Sequence, residues 1–217
     1  MPTVDLSFRL LGASIPADHG YALYAAVSRL IPWVHDPARK SLGIHPVNGR
    51  PAGNRLLHLT PASRLTLRLD SDHIRELLPL AGEELELDAL KVRIGTPTTY
   101  ALKPAAALRS RLVTIKLKDR LDPDSFLAAV QEDLTALGTK GTPGLLKRRA
   151  AKPLEGRSGG EPDRSPFVRR TLEIRGRQVV GYAVIVQGLA ADESLRLQER
   201  GLGGRRRFGC GIFVPLP

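Results

Sequence analysis

Two stretches of this chain repeat one order of hydrophobic periods, and that order restricts the fold more than any single motif. Thr3 to Leu11 alternates, with Val4, Leu6, Phe8 and Leu10 on one side and Asp5, Ser7 and Arg9 on the other, the period of a half-buried strand. Ile15-Pro16 is followed by Asp18, a good N-cap, and then by Leu23, Val27, Leu30 and Ile31 at helical spacing up to Pro32. Short strands are expected at Ile44 to Val47, Arg55 to Leu59 and Arg64 to Leu69. Asp70-Ser71 is expected to cap a short helix through Ile74, Leu77 and Leu78, and Leu85 to Ile94 reads as a strand or hairpin with a phase slip near Asp88-Ala89.

After residues 97–107, whose turn and proline signals mark a linker, the pattern restarts. Leu112 to Lys118 alternates, and Asp122-Pro123 opens a helix carrying Leu127, Val130, Leu134 and Leu137 before Gly138. Residues 139–168, rich in Gly, Pro, Lys and Arg, read as a long basic loop with a short helix at Leu145 to Ala151. Strands at Thr171 to Ile174 and Val179 to Val186, a helix from Asp192 to Arg200 and a closing strand at Ile212 to Val214 follow. Each half is thus β-α-β-β-α-β, and the fold class is α+β with tandem ferredoxin-like domains. The expected boundaries are 1–96 for the first domain and 108–217 for the second, which carries the basic loop 139–168 and a glycine-rich loop 201–211.

Charge divides the halves. Residues 1–138 hold 17 basic and 15 acidic side chains, whereas residues 139–217 hold 16 basic and 7 acidic ones, so the second half carries nearly all of the net charge of +11. Of its 16 basic residues 13 are Arg, whose planar fork matches phosphate, which points to nucleic acid as the partner; a solvated basic face is the alternative reading. With 42% hydrophobic residues the chain can bury a core, and no apolar run approaches the roughly 20 residues that cross a bilayer. The start MPTVDLSFRL lacks a signal-peptide pattern, so no membrane partner and a cytoplasmic location are expected. The single Cys210 excludes a disulfide framework and thiolate metal sites.

The segment GLGGRRRFGCG, Gly201 to Gly211, is the most unusual in the chain. Glycine lets a backbone approach a phosphate chain closely, and Arg205, Arg206 and Arg207 can supply charge-assisted bonds to its oxygens. Gly203 and Gly204, together with Lys147, Arg148, Arg149, Arg169 and Arg170, complete the candidate nucleic-acid contacts. The same segment could be a glycine-rich turn with a solvated basic cluster. It has neither dinucleotide-binding spacing nor a Walker lysine, so no nucleotide cofactor is called for. None of the five histidines forms a metal-ligand pattern. His58 and His73 suit structural roles. His19, His35 and His45 flank the first helix and could face one cleft, where an imidazole near its ordinary pKa of ~6.5 suits proton transfer.

The C-terminal run from Val179 to Pro215, with DHGYALYAAVSRLIPWVH and GIHPVNG near the start, resembles the CRISPR-associated endoribonucleases of the RAMP superfamily that cut precursor CRISPR RNA within its repeats, and among them the compact myxan-type variety. The resemblance spans nearly the whole chain. It implies paired ferredoxin-like domains bound to repeat RNA, and cleavage without a metal or cofactor that leaves a 2′,3′-cyclic phosphate and a 5′-hydroxyl. It also implies a histidine in or just after the first helix: His35 in WVHDP first, His19 in ADHGY second, with Tyr21, Arg39 or Lys40 as helper. The partners implied are precursor and mature guide RNA and other subunits of an effector complex. A non-catalytic RNA-holding subunit would use the same glycine–arginine loop, and a ribosomal or RNA-chaperone protein with tandem ferredoxin-like folds is a second alternative.

Overall fold

The computed structural model describes residues 1–36, 41–116, 122–148 and 166–216. In chain order the strands and helices are β1 (Thr3–Leu11), β2 (Ser14–Pro16), α1 (Gly20–Leu30), β3 (Gly43–Ile44), β4 (Arg50–Ala52), β5 (Leu56–His58), β6 (Arg64–Asp70), α2 (Ile74–Leu77), β7 (Glu84–Leu87) and β8 (Leu90–Ala101) in the first half. The second half has β9 (Ala107–Val113), α3 (Pro123–Ala136), β10 (Thr142–Leu145), β11 (Arg169–Ile174), β12 (Arg177–Gln187), α4 (Ala191–Arg200) and β13 (Val214–Pro215).

The first sheet runs β3-β6-β1-β8-β7 and the second β10-β12-β9-β13. With β7 set aside as a hairpin partner of β8, both have the fourth strand of the unit beside the first, and the third between the first and the second. Every pair is antiparallel. This is the ferredoxin-like arrangement twice over. The alternation in β1 buries Val4, Leu6, Phe8 and Leu10 against α1, whose Leu23, Ala26 and Val27 lie in the same core. Phe126, Val130 and Leu134 of α3 do the same for Val184 and Val186 of β12. Asp122 caps α3 as expected, its carboxylate accepting from the N–H groups of Asp124 and Ser125.

Several expectations need correction. Residues 97–101 of the expected linker continue β8, pairing Phe8 with Pro97 through to Val4 with Ala101. Thr and Tyr there fit a pleated surface, and Pro97 is tolerated because, among the described residues, no strand pairs with β8 at that level on the side away from β1. Asp18 does not cap α1: the helix begins at Gly20, and the Asp18 carboxylate accepts from the N–H of Glu173 in β11 at 2.8 Å, tying the two halves together. Asp70 holds the expected N-cap position, before the 3-10 turn Ser71–His73 that leads into α2, but its carboxylate makes no cap bond and accepts instead from the hydroxyls of Thr3 and Ser41. Leu145 is the end of β10 rather than the start of a basic helix, and Lys147 bridges to Phe167, so both ends of the expected loop are extended pairs. The slip near Asp88 is a tight turn, with Asp88 left-handed at φ 56° between β7 and β8. Among the described residues no helix is long and apolar enough to cross a membrane.

Candidate functional site

Helix α1 ends at Leu30, and Pro32, which cannot continue it, opens a 3-10 turn over Pro32–His35. Val34 anchors this turn in the core and leaves His35 exposed. The ring is not free to turn, because its Nδ1 is hydrogen-bonded to the hydroxyl of Tyr24, three helical turns back on α1 and only 8% exposed. Tyr24 in turn packs edge-on against Phe208, with ring centroids 4.8 Å apart. Phe208 belongs to the glycine–arginine loop of the second half, so the histidine of one domain is oriented through a loop of the other. The guanidinium of Arg207 donates to the carbonyl of Asp36, the residue after His35. A groove of about 340 Å³ lies here, lined by Tyr24, Leu42, Gly203, Arg205, Arg206, Arg207 and Phe208. The approach is close enough to require glycine at the head of α1, where a Cβ on Gly20 would stand 2.4 Å from the Phe208 carbonyl oxygen.

The three adjacent arginines are not placed alike. Arg205 is left-handed at φ 66° and exposed, and the 3-10 turn Arg206–Phe208 then rotates successive side chains to different sides. Arg206 turns inward: its Nε and Nη2 are buried and make no hydrogen bond among the described residues, and burial, with the nearby Arg68 charge, pushes its pKa down to about 10. Arg207 lies half-buried beside His35. Gly203 and Gly204 are exposed, with Gly204 N–H donating to the Thr114 carbonyl.

His19 is placed differently from His35. It is 3% exposed, its Nδ1 lies 3.0 Å from the Pro16 carbonyl and its Nε2 accepts the Val47 N–H at 2.9 Å, so neither nitrogen is left for a substrate. Burial, opposed by the Pro16 carbonyl, pushes its pKa down to about 4. Tyr21 accepts from Arg175 Nε at 3.0 Å and packs on Phe208 and Tyr24. His45 lies 3.2 Å from Asp5 behind the loop, while His58 bonds Ser14 and His73 bonds Glu76, as structural residues do. Arg39, Lys40 and Arg149 lie outside the described residues.

A second groove, about 370 Å³, lies on the other side of Phe208 between the domains. Exposed Arg169 and Arg170 of β11 line it, as do Arg55 and Arg111, which the sequence reading missed. Arg111 is held below its ordinary range by burial and by the nearby charge of Arg170, and Asp18 lines the same groove. The period-two placement of Arg109 and Arg111 on β9 was the available signal. Lys147 and Arg148 are exposed beyond β10, with Arg148 Nε donating to the Phe167 carbonyl. Among the described residues no three His, Cys, Asp or Glu side chains are placed to hold a metal ion. An oriented imidazole beside guanidinium groups suits proton transfer next to a phosphate.

The Cas6 CRISPR family model matches residues 4–217. A CRISPR-associated endonuclease Cas6 of Myxococcus xanthus (strain DK1622) is 37% identical over 215 residues, covering 99% of this chain and 82% of that protein. In fold the chain is similar to a CRISPR-associated protein Cas6, with TM-score 0.66 and 12% identity over 99% of this chain and 100% of the other. It is also similar to a Cas6-related protein of Pyrococcus furiosus, with TM-score 0.65 and 12% identity over 98% of each.

Proposed function

The chain belongs to the Cas6 family, and we propose that it is an endoribonuclease that cuts precursor CRISPR RNA within the repeats, with His35 as its proton-transfer group. The observation that carries this reading is the exposed His35, fixed at Nδ1 by Tyr24 and set beside Arg207 at the mouth of the glycine–arginine loop. The ribose 2′-oxygen upstream of the cut attacks the adjacent phosphorus while His35 Nε2 takes the 2′-hydroxyl proton. The bond from phosphorus to the 5′-oxygen breaks, and that oxygen takes a proton from solvent. The products are a 2′,3′-cyclic phosphate and a 5′-hydroxyl. Because the nucleophile is part of the RNA, the protein has to hold the linkage in line, move a proton and offset phosphorane charge, the last falling to Arg205 and Arg207.

The flanking strand follows the second groove, where Arg55, Arg111, Arg169 and Arg170 offer charge to phosphates. His19, with both nitrogens committed to the backbone, serves the fold. A substrate made by transcription places the work in the cytoplasm. Labelled repeat RNA incubated with the protein in EDTA tests the reaction: one cut is expected, and none when the sugar upstream of the cut is 2′-deoxy, with binding of that RNA retained. Loss of cutting in EDTA, or cutting of the deoxy substrate, would refute the mechanism.

A further inference from the structure

Arg68 sits on β6 in the first domain and is 1% exposed, the largest fully buried side chain among the described residues. Two of its guanidinium nitrogens are taken by one carboxylate on the neighbouring strand, Nε to Asp5 Oδ1 and Nη2 to Asp5 Oδ2, both at 2.8 Å. This bidentate pair fixes the plane of the fork. Burial alone would raise the Asp5 carboxyl, but hydrogen bonds and charge from Arg68 and His45 hold it well below the usual carboxylate range. The remaining terminal nitrogen, Nη1, crosses to the second domain and donates twice, to the carbonyl of Gln198 at 2.9 Å and to that of Phe213 at 2.7 Å.

Those two carbonyls stand on either side of the glycine–arginine loop. Gln198 is in the last turn of α4, where carbonyls have no partner within the helix, and Phe213 lies just after the loop and before β13. We propose that Arg68 is a positioning residue for RNA cleavage, holding both stems of the Gly201–Gly211 loop against the domain that carries His35 and so setting where Arg205 and Arg207 stand relative to that imidazole. The loop's own closure is local: Leu202 N–H donates to the Gly211 carbonyl and Gly211 N–H to the Leu112 carbonyl, both within the second domain. Arg68 therefore hydrogen-bonds the loop's base to the first domain, while Arg207 to Asp36 and Phe208 on Tyr24 tie down its tip. The inference rests on the proposed reaction for its catalytic consequence and on geometry alone for the loop.

Arg68→Lys is the test. A lysine keeps the charge against Asp5 but cannot grip both carboxylate oxygens and both carbonyls from one ammonium. The single-turnover cleavage rate at saturating protein should fall about 10- to 100-fold, as expected for a small misplacement at a distance from the chemistry, while RNA affinity changes less than about threefold. Hydrogen exchange at the Leu202 and Gly211 amides should quicken while the β1 and β6 amides keep their protection. A merely structural role would lower the reacting fraction and leave the rate constant of the folded molecules unchanged. The paired variant Asp5→Leu with Arg68→Met removes the buried charges together, so that neither is left alone in the core, and should show the same slow rate and loosened loop. A wild-type rate constant with unchanged loop exchange in either folded variant would overturn the proposal. The exchange measurement needs no RNA, so it separates failure of this inference from failure of the proposed reaction.

Discussion

Acid should weaken this protein through His19 in a definite window. With 3% exposure and both nitrogens bonded, the ring is held neutral, with Nδ1–H donating to the Pro16 carbonyl and Nε2 accepting the Val47 N–H. A proton added at Nε2 would face that N–H and break the bond. The folded pKa of about 4 lies below the ordinary value of 6.5, so the unfolded chain takes up the proton first. The stabilisation is complete above pH 6.5 and is lost as pH falls towards 4. The gap is worth about 3 kcal/mol at about 1.4 kcal/mol per pKa unit. Urea unfolding at pH 7.5 and 4.5 measures it. His19→Gln removes the titrating group, so the variant is less stable at pH 7.5 but should lose about 2 to 3 kcal/mol less than wild type across the window. His45, also lowered by burial, titrates alike in both proteins and cancels in the comparison. Parallel pH dependence of the two would refute the neutral, doubly bonded histidine.

Tyr24→Phe removes the hydroxyl that holds His35 while keeping the ring on Phe208, and single-turnover kinetics should show about a 10-fold slower cut with affinity nearly unchanged. Arg205→Ala should lower the log–log salt slope of RNA binding by ~0.7 to 0.9, whereas Arg206→Ala, which removes an inward guanidinium, should leave that slope alone and shift the unfolding midpoint instead. Arg111→Ala with Arg170→Ala should lower the slope by about twice the single-contact value if both face phosphates across the second groove, and filter binding over a salt series checks each case.

Local periodicity made most of the fold readable. The strict alternation of β1 and of β6, the helical spacing of Leu23 and Val27, and the Asp122-Pro123 start of α3 all act within a few residues, and the structure keeps each of them. What sequence reading missed acts across the chain. Asp18 looked like a cap because its partner, the N–H of Glu173, is 155 residues away. Arg68 alternates like any outward strand charge, yet its outward face meets the second domain, 130 and 145 residues on. Tyr24 carried no mark beyond a core spacing, and its hydroxyl matters only because the 3-10 turn brings His35 back over α1. His35 itself was chosen through a family resemblance, since spacing alone left it level with His19; burial and two backbone bonds are what separate them. The arginine triplet read as one patch because adjacency in sequence does not reveal the left-handed Arg205 that splits it.

The central claim, that the imidazole of His35 moves a proton during RNA cleavage at the glycine–arginine loop, is tested most directly by single-turnover cleavage of a cognate repeat RNA by His35→Ala. The side chain is exposed and touches the core through Tyr24, whose ring stays packed on Phe208 without it, so the variant should fold and bind RNA within a few-fold of wild type. Its rate constant should fall at least about 100-fold, the lower end of what a positioned proton-transfer group contributes. An unimpaired rate in a folded His35→Ala protein would contradict the account.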